Sequence, residues 1–316
     1  MKQMEIKTGV AREPKSKIDR KHIMKDVTRI LVTTDLSANS QVALPWADAL
    51  ADKLNAEMTF LCVINPHPFT GLDNCTMPHA MGFNVEETEV EAQKKMKKIL
   101  ALQSIDREVE VRTIRNAIPH EGILRMIKVV EYDYVVMATH GYTGMEVVLL
   151  GSVTGRVVRH CPCPVLCVRG ISDEVSINRI LCPTDFSDRA QIGVDEGVSL
   201  AEKFDAQIDL LHVAHCDSNY GYAAYAASGD DNENKKLCRS KLDEVASRVN
   251  GVTVEKWLMS GSVPCSINEM ADSTPDDLIV MSSHGHSGLV DYLIGRNTER
   301  VIRQSHHPVL VCPAKH

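Results

Sequence analysis

The segment that decides the fold reads Asp133-Tyr-Val-Val-Met-Ala-Thr-His140-Gly141, and Gly151-Ser-Val-Thr154 follows after nine intervening residues. Its first part is a short apolar run rich in β-branched residues, which is typical of a strand covered on both faces. Its last part places a glycine and small hydroxyl residues at the predicted start of a helix. A strand, a loop and a helix in this order predict one unit of a parallel α/β sheet.

This segment occurs twice in the chain. Asp277-Leu-Ile-Val-Met-Ser-Ser-His284-Gly285 repeats it at an offset of 144 residues, and residues 179–187 repeat residues 29–37 at an offset of 150. A period this long indicates a duplicated domain rather than a solenoid unit.

The length of 316 residues fits two domains of ordinary size, and an apolar fraction of 44% is typical of a globular protein. We predict a polar basic tail over residues 1–26, a first domain over 27–170 and a second over 177–316. Each domain is predicted to be doubly wound α/β, with a five-stranded, mostly parallel sheet and helices on both faces.

Composition argues against several classes of protein. The chain has 35 basic and 42 acidic residues and only 14 aromatic ones (5 Phe, 7 Tyr, 2 Trp), a poor match to nucleic-acid binding. No apolar run reaches the roughly 20 residues of a membrane helix, and the N-terminal residues lack a secretory pattern. Several of the ten cysteines lie in apolar strand-like runs, which favours buried thiols in a reducing compartment. We therefore expect a cytoplasmic protein without nucleic-acid or membrane partners.

Residues suited to ligand binding gather at the predicted strand ends. Asp35 follows the first strand, Val63 closes the second, and residues 138–141 follow the fourth. Ligands of such sheets bind beyond the carboxyl ends of the strands, where the strand order reverses. Free amides at the helix start, together with the Ser152 and Thr154 hydroxyls, would form an anion site. Asp35 is an acceptor suited to a ribose hydroxyl or an adenine amino group.

Each of these residues also has a simpler interpretation. Asp35 could cap the following helix, and Gly141 and Gly151 could only shape turns. His140 and His284 could orient a phosphate or shape the same loop, and no partner carboxylate is evident for either. Their placement together at the strand ends favours a binding site.

This constellation resembles the universal stress protein family, whose phosphate motif is Gly-x2-Gly-x9-Gly-(Ser/Thr). The first copy reads Ala138-x2-Gly141-x9-Gly151-Ser152, with alanine in place of the first glycine. The family's adenine-side aspartate matches Asp35, and its hydrophobic residue at the end of the second strand matches Val63. The resemblance covers both copies and leaves out only the N-terminal tail.

The second copy departs further from the family motif. It reads Ser282-x2-Gly285-x9-Gly295-Arg296, so an arginine stands where the family has a small hydroxyl residue. Arg296 could contact phosphate as a cation or fill the pocket. The adenosine side is retained as Pro183, Asp185 and Val213. We expect the first copy to bind nucleotide better than the second.

The resemblance implies a stress-response protein that binds ATP, with AMP or ADP as alternatives and with Mg²⁺, as a regulatory or partner-binding signal. We expect little or no hydrolysis and predict no catalytic residues. The predicted contacts are Thr33, Thr34, Asp35, Val63, Ala138, His140, Gly141, Gly151, Ser152, Val153 and Thr154, with Pro183, Asp185, Val213, Ser282, Gly285, Gly295 and Arg296 in the second copy. The alternative is an interaction scaffold of the same fold that binds no nucleotide. An adenylating enzyme is disfavoured, because Asp35-Leu-Ser replaces a glycine-rich pyrophosphate loop.

Three further features carry expectations. The Cys161-Pro-Cys163 spacing and the histidines His212 and His215 do not match structural zinc sites, so we predict no metal site. The stretches 65–84 and 217–234 are predicted loops at the rim of the site, and the sequence leaves open whether they are lids or partner loops. By resemblance, the last strands of the two domains pair, and we expect a homodimer and unidentified protein partners.

Overall fold

The computed structural model of the chain describes residues 28–66, 84–139, 150–170, 175–214, 231–274, 277–285 and 294–314. The predicted tail, most of the two rim loops, and the site residues His140 and Gly141 lie outside these ranges.

The first half alternates strands and helices as the sequence predicts. Its strands are β1 (Arg29–Thr34), β2 (Glu57–Ile64), β3 (Val109–Arg115), β4 (Tyr134–Ala138) and β5 (Val165–Val168). Its helices are α1 (Ala38–Gln41), α2 (Ala43–Leu54), α3 (Val85–Leu102), α4 (Pro119–Val130) and α5 (Ser152–His160). Helix α4 begins at Pro119, where the missing amide hydrogen costs no intrahelical bond.

The second half repeats this order within the described residues. Its strands are β6 (Arg179–Pro183), β7 (Gln207–Ala214), β8 (Val254–Ser260), β9 (Leu278–Ser282) and β10 (Val309–Cys312). Its helices are α6 (Asp188–Phe204), α7 (Asp231–Ser247), α8 (Val263–Ser273) and α9 (Arg296–Gln304).

All ten strands form one sheet in the order β3-β2-β1-β4-β5-β10-β9-β6-β7-β8. Within each half every pairing is parallel, which confirms the predicted doubly wound α/β fold. In the first half the chain moves outward from β1 to β2 and β3, then returns to β4 on the other side of β1. The strand order therefore reverses between β1 and β4, and between β6 and β9 in the second half.

The two halves meet through their last strands. Strand β5 pairs antiparallel with β10, so that Leu166 lies opposite Leu310. The pairing predicted for the two last strands is thus present within the chain. Both strands are interior strands of the sheet, and its edges are β3 and β8. The predicted homodimer stays a prediction.

The core consists of one apolar layer on each face of the sheet. Ile30 and Val32 point into the layer covered by α2 and α3, whereas Leu31 points into the layer covered by α4 and α5. Because consecutive strand residues enter opposite layers, the strands read as continuous apolar runs. The eight cysteines among the described residues are free thiols, and most of them are buried. In the described part of the chain, no helix is long and apolar enough to cross a membrane.

One buried ionic network distinguishes the second half. The Asp209 carboxylate in β7 is fully buried and accepts two hydrogen bonds from the Arg179 guanidinium, at 2.8 and 2.6 Å. The indole nitrogen of Trp257 donates a third, at 2.8 Å. In the first half the counterpart of Arg179 is Arg29, which forms a more exposed ion pair with Glu57, at 3.5 Å.

Candidate functional site

The candidate site lies at the carboxyl ends of β1, β2 and β4, beside the start of α5. Strands β1 and β4 are neighbours at the point where the strand order reverses. The described residues that the sequence places here are Thr33, Thr34, Asp35, Val63, Ala138, Gly151, Ser152, Val153 and Thr154. Thr33, Thr34 and Ala138 are buried, whereas Ser152 is exposed at the first position of the helix.

Two hydrogen bonds fix the start of α5 to the end of β4. The Gly151 amide donates to the Thr139 carbonyl at 2.9 Å, and the Thr154 hydroxyl donates to the Ala138 carbonyl at 2.8 Å. A Cβ atom on Gly151 would lie 2.8 Å from the Thr139 oxygen, closer than real Cβ contacts. The helix start can sit this close to the strand end only because residue 151 is a glycine.

The start of α5 is suited to bind an anion. The amides of Ser152, Val153 and Thr154 precede the first residue that has an acceptor within the helix. No acidic side chain lies in the first turn, and Arg159 and His160 lie in the last. The aligned peptide dipoles therefore present partial positive charge at the strand end.

The prediction that the Thr154 hydroxyl contacts the anion needs correction. A hydroxyl has one hydrogen to donate, and Thr154 donates it to the Ala138 carbonyl. The buried Thr154 side chain therefore anchors the helix, and its backbone amide is the group that faces the candidate site.

Asp35 shapes the tight turn between β1 and α1. Its Oδ1 atom accepts hydrogen bonds from the Ser37 amide, at 3.0 Å, and from the Ser37 hydroxyl. The Ser37 side chain, and not Asp35, caps α1. Leu36 lies in the left-handed region with φ 65°, and its amide donates to the Thr34 hydroxyl at 2.9 Å. A non-glycine residue in this region is strained, and such strain gathers at binding sites.

The second half builds the same turn and the same helix start. Phe186 has φ 65°, and Asp185 accepts from the Ser187 amide at 3.1 Å. The Gly295 amide donates to the Ser283 carbonyl at 2.7 Å, and the Thr298 hydroxyl donates to the Ser282 carbonyl at 3.0 Å.

The second half also shows how the aspartate and the motif loop meet. A Cβ atom on Gly285 would collide with Asp185 Oδ2, so the carboxylate lies directly against this glycine. The sequence places Asp185 and Gly285 100 residues apart, and the neighbouring ends of β6 and β9 bring them together.

The two helix starts differ in charge. Helix α9 carries Glu299 in its first turn, where α5 has Gly155. Glu299 forms ion pairs with Arg303, at 3.4 Å, and Arg159, at 3.9 Å. A carboxylate beside the helix start opposes a bound anion. Arg296 is exposed at the first position of α9.

The residues predicted for an adenosine group also differ between the halves. Val63 packs close to α4, where a Cβ on Gly122 would lie 3.3 Å from Val63 Cγ1. In the second half Val213 is buried, and Pro183 is the partly exposed last residue of β6. His212 precedes Val213, and its ring lies 4.2 Å from the Phe186 ring, centroid to centroid.

The sequence pattern around His212 suggested only a metal ligand, and it did not predict the position of this residue beside the candidate site. Its Nδ1 atom lies 2.8 Å from the Thr184 carbonyl, and burial lowers the pKa of the ring. The signal available in the sequence was its position directly before Val213, the counterpart of Val63. Among the described residues, no group of three or more His, Cys, Asp or Glu side chains could hold a metal ion.

Comparison with known proteins identifies the family. The model of the universal stress protein family matches residues 27–169 and 176–313. The universal stress protein MJ0531 of Methanocaldococcus jannaschii is 32% identical over 141 residues, which cover 45% of this chain and 81% of that protein. A universal stress protein of Mycolicibacterium smegmatis is 24% identical over 289 residues, which cover 89% of this chain and 96% of that protein.

A solved structure shows the same fold over both halves. The crystal structure of a universal stress protein from Archaeoglobus fulgidus DSM 4304 matches with a TM-score of 0.65 and 22% identity, covering 91% of this chain and 96% of that one. Since the family model matches two successive stretches that together make up most of the sequence, the chain belongs to the universal stress protein family and carries two tandem copies of its fold.

Proposed function

We propose that the protein binds ATP, mainly in its first half, and that occupancy of this site signals to protein partners in the cytoplasm. The observation that carries the proposal is the start of α5, held at the reversal of strand order by the Gly151 and Thr154 hydrogen bonds. A helix start held this close to a strand end is suited to a phosphate group, because its free backbone amides can donate hydrogen bonds directly to an anion.

The residues divide between the two ends of the nucleotide. Gly151 and the amides of residues 152–154 would hold the phosphates, and Mg²⁺ bound with the nucleotide would neutralise part of their charge. Asp35 and Val63, with Thr33 nearby, would contact the adenosine. ADP and AMP carry the same adenosine and are ligands of the same site in this proposal.

The two helix starts differ in their carboxylates, and this difference favours the first half, whereas α9 also begins with the exposed Arg296. The first turn of α5 has no carboxylate, whereas Glu299 lies in the first turn of α9. We propose that ATP acts as a signal with little or no hydrolysis. Asp35 is the one carboxylate among the described residues predicted for the first site, and its Oδ1 atom is engaged by Ser37.

Titration calorimetry of the full chain with MgATP tests this proposal, with native mass spectrometry to detect nucleotide that purifies with the protein. Asp35→Asn keeps one side-chain oxygen that can accept the hydrogen bonds from Ser37, but it replaces the second carboxylate oxygen, an acceptor, by an NH2 group, which only donates. We expect it to weaken ATP binding by about tenfold or more, the effect of one lost charge-assisted hydrogen bond. Asp185→Asn makes the same change in the second half and should alter the affinity by less than about threefold.

Two results would overturn the proposal. If MgATP at millimolar concentration gives no binding heat and no bound mass, the protein is a scaffold that does not bind nucleotide. If Asp185→Asn weakens binding and Asp35→Asn does not, the second half holds the nucleotide. GTP serves as the control for recognition of the adenine ring.

A further inference from the structure

A pair of thiols lies in the turn between α5 and β5, on the far end of the helix from the candidate site. The Sγ atoms of Cys161 and Cys163 are 3.5 Å apart. The two residues are 6% and 8% exposed, and the intervening Pro162 is exposed. The turn is fixed on both sides, because the Cys161 amide donates to Val157 in α5 at 2.8 Å and β5 begins at Val165.

The second half builds the same turn without thiols. Ser305 and His307 take the places of Cys161 and Cys163 at the offset of 144 residues. The Ser305 hydroxyl accepts a hydrogen bond from the His307 amide at 3.0 Å and donates one to the His307 carbonyl at 3.0 Å. The fold therefore does not need a sulfur atom at either position, and the paired thiols are a chemical feature of the first half.

The two thiols differ in acidity. Their mutual hydrogen bond lowers the pKa of Cys161 below the usual thiol value, whereas the same bond and burial raise the pKa of Cys163. Cys167, in β5, is almost fully buried, and this burial raises its pKa to about 12. Because the thiolate is the reactive form, the direction of these shifts favours Cys161 as the attacking sulfur.

We propose that Cys161 and Cys163 form a redox-active dithiol, which a small peroxide converts to a disulfide within the turn. The Cys161 thiolate attacks one oxygen of hydrogen peroxide, the O–O bond breaks, and the departing hydroxide takes up a proton to become water. The Cys161 sulfenic acid is then attacked by the Cys163 sulfur, the S–O bond breaks, and a second water leaves. Two thiols are oxidised to one disulfide, and one peroxide is reduced to two waters.

The geometry favours this pair over the other described cysteines. A disulfide requires sulfur atoms about 2.05 Å apart, so the present separation has to shorten by about 1.5 Å. Side-chain rotation within a surface turn supplies this movement, whereas Cys167 is held in the middle of the sheet by β4 and β10. The turn lies at the surface, where the neighbouring residues His160 and Pro162 are exposed.

Peptide mapping of the full-length protein tests the proposal. The reduced protein is treated with hydrogen peroxide, quenched in acid, unfolded, alkylated with N-ethylmaleimide and digested with trypsin. Residues 160–169 form one tryptic peptide that contains Cys161, Cys163 and Cys167. We expect this peptide to lose two hydrogens and to carry one maleimide on Cys167, and dithiothreitol should restore all three alkylation sites. Three maleimides after peroxide treatment, or a bond that includes Cys167, would overturn the proposal.

Single variants assign the order of the two steps. Cys163→Ser should trap the sulfenic acid on Cys161 as a dimedone adduct, and Cys161→Ser should leave Cys163 unoxidised. Cys161→Ser introduces the residue type that Ser305 has in the second half, so the turn should keep its structure. The matched control is Cys167→Ser, which should form the disulfide at the wild-type rate. If Cys163→Ser gave no dimedone adduct while Cys161→Ser gave one on Cys163, the assignment of the nucleophile would be wrong.

Discussion

Replacing Gly151 by alanine should weaken ATP binding, while the same replacement of Gly295 should not. A Cβ atom on Gly151 would lie 2.8 Å from the Thr139 carbonyl oxygen, about 0.6 Å inside an ordinary contact of 3.4 Å. A Cβ atom on Gly295 would lie 3.0 Å from the Ser283 carbonyl oxygen, so alanine would crowd the start of α9 in the same way. Neither contact can be relieved by rotating a side chain, because both oxygens belong to the backbone.

The expected magnitude follows from the groups that move. To admit the methyl group, the start of α5 has to shift away from β4, which weakens the 2.9 Å bond from the Gly151 amide and displaces the amides that would face the phosphates. A hydrogen bond to a charged group contributes about 1.5–3 kcal/mol. The loss of one such bond corresponds to a fall in ATP affinity of about 10- to 150-fold.

Titration calorimetry with MgATP on both full-length variants measures this difference. Thermal unfolding without nucleotide provides the control, because both substitutions should lower the melting temperature by a similar, small amount. Gly295→Ala should bind ATP within about twofold of the wild type. Unchanged affinity in Gly151→Ala, despite a lowered melting temperature, would refute the assignment of the phosphate site to α5.

Three further predictions concern the stability of the fold. Asp209→Ala should lower the free energy of unfolding in urea by about 1–3 kcal/mol, because it leaves the Trp257 indole N–H without its acceptor and leaves Arg179 with only the more exposed Glu255 among its two carboxylate partners; the same change at the exposed Glu57 should cost less than about 1 kcal/mol, and equal costs would contradict this account. Burial lowers the pKa of His212 in the folded protein, so on acidification the unfolded chain takes up a proton at a higher pH than the folded protein does. The free energy of unfolding should therefore fall as the pH drops below about 6.5, the pKa of an unperturbed histidine. His212→Cys, the residue type of the first half, should flatten that slope between pH 7 and 5, and an unchanged slope would rule out this histidine as its source. Gly193→Ala should destabilise the protein by about 1–3 kcal/mol in urea, because its Cβ would lie 2.8 Å from the Ser282 amide nitrogen in β9; a loss below about 0.5 kcal/mol would show that α6 can move away from the sheet.

Much of the fold is predictable because its signals are local. The apolar runs around Ile30, Phe60 and Val135 are the strands that the sequence predicts, since strands buried on both faces are apolar at successive positions. Pro119 and Gly151 mark helix starts through their own backbone preferences. The candidate site is predictable in outline for the same reason, because parallel strands bring their carboxyl ends to one edge of the sheet.

The partners of individual polar groups are not predictable in this way. The sequence shows that Thr154 lies at a helix start, but only the packing of α5 against β4 turns its hydroxyl toward Ala138. Asp35 is both a candidate ligand group and a hydrogen-bond acceptor for Ser37. The second role depends on the tight turn that the left-handed conformation of Leu36 creates, and the sequence does not show that conformation. The position of His212 beside Phe186 depends on the register of β7 against β6.

The duplication follows from the sequence alone, because two motifs recur at offsets of 144 and 150 residues. The strand and helix order and the glycines of the site follow from it as well, because each depends on a pattern within a few tens of residues. The tertiary structure decided that β5 and β10 join the halves into one sheet, that Asp185 lies against Gly285, and that the Cys161 and Cys163 sulfur atoms are in contact. Such contacts depend on strand register and on the direction of a side chain across a turn. Strand register is set by how residues far apart in sequence pack together, and the direction of a side chain across a turn is set by how the flanking elements, here α5 and β5, hold that turn.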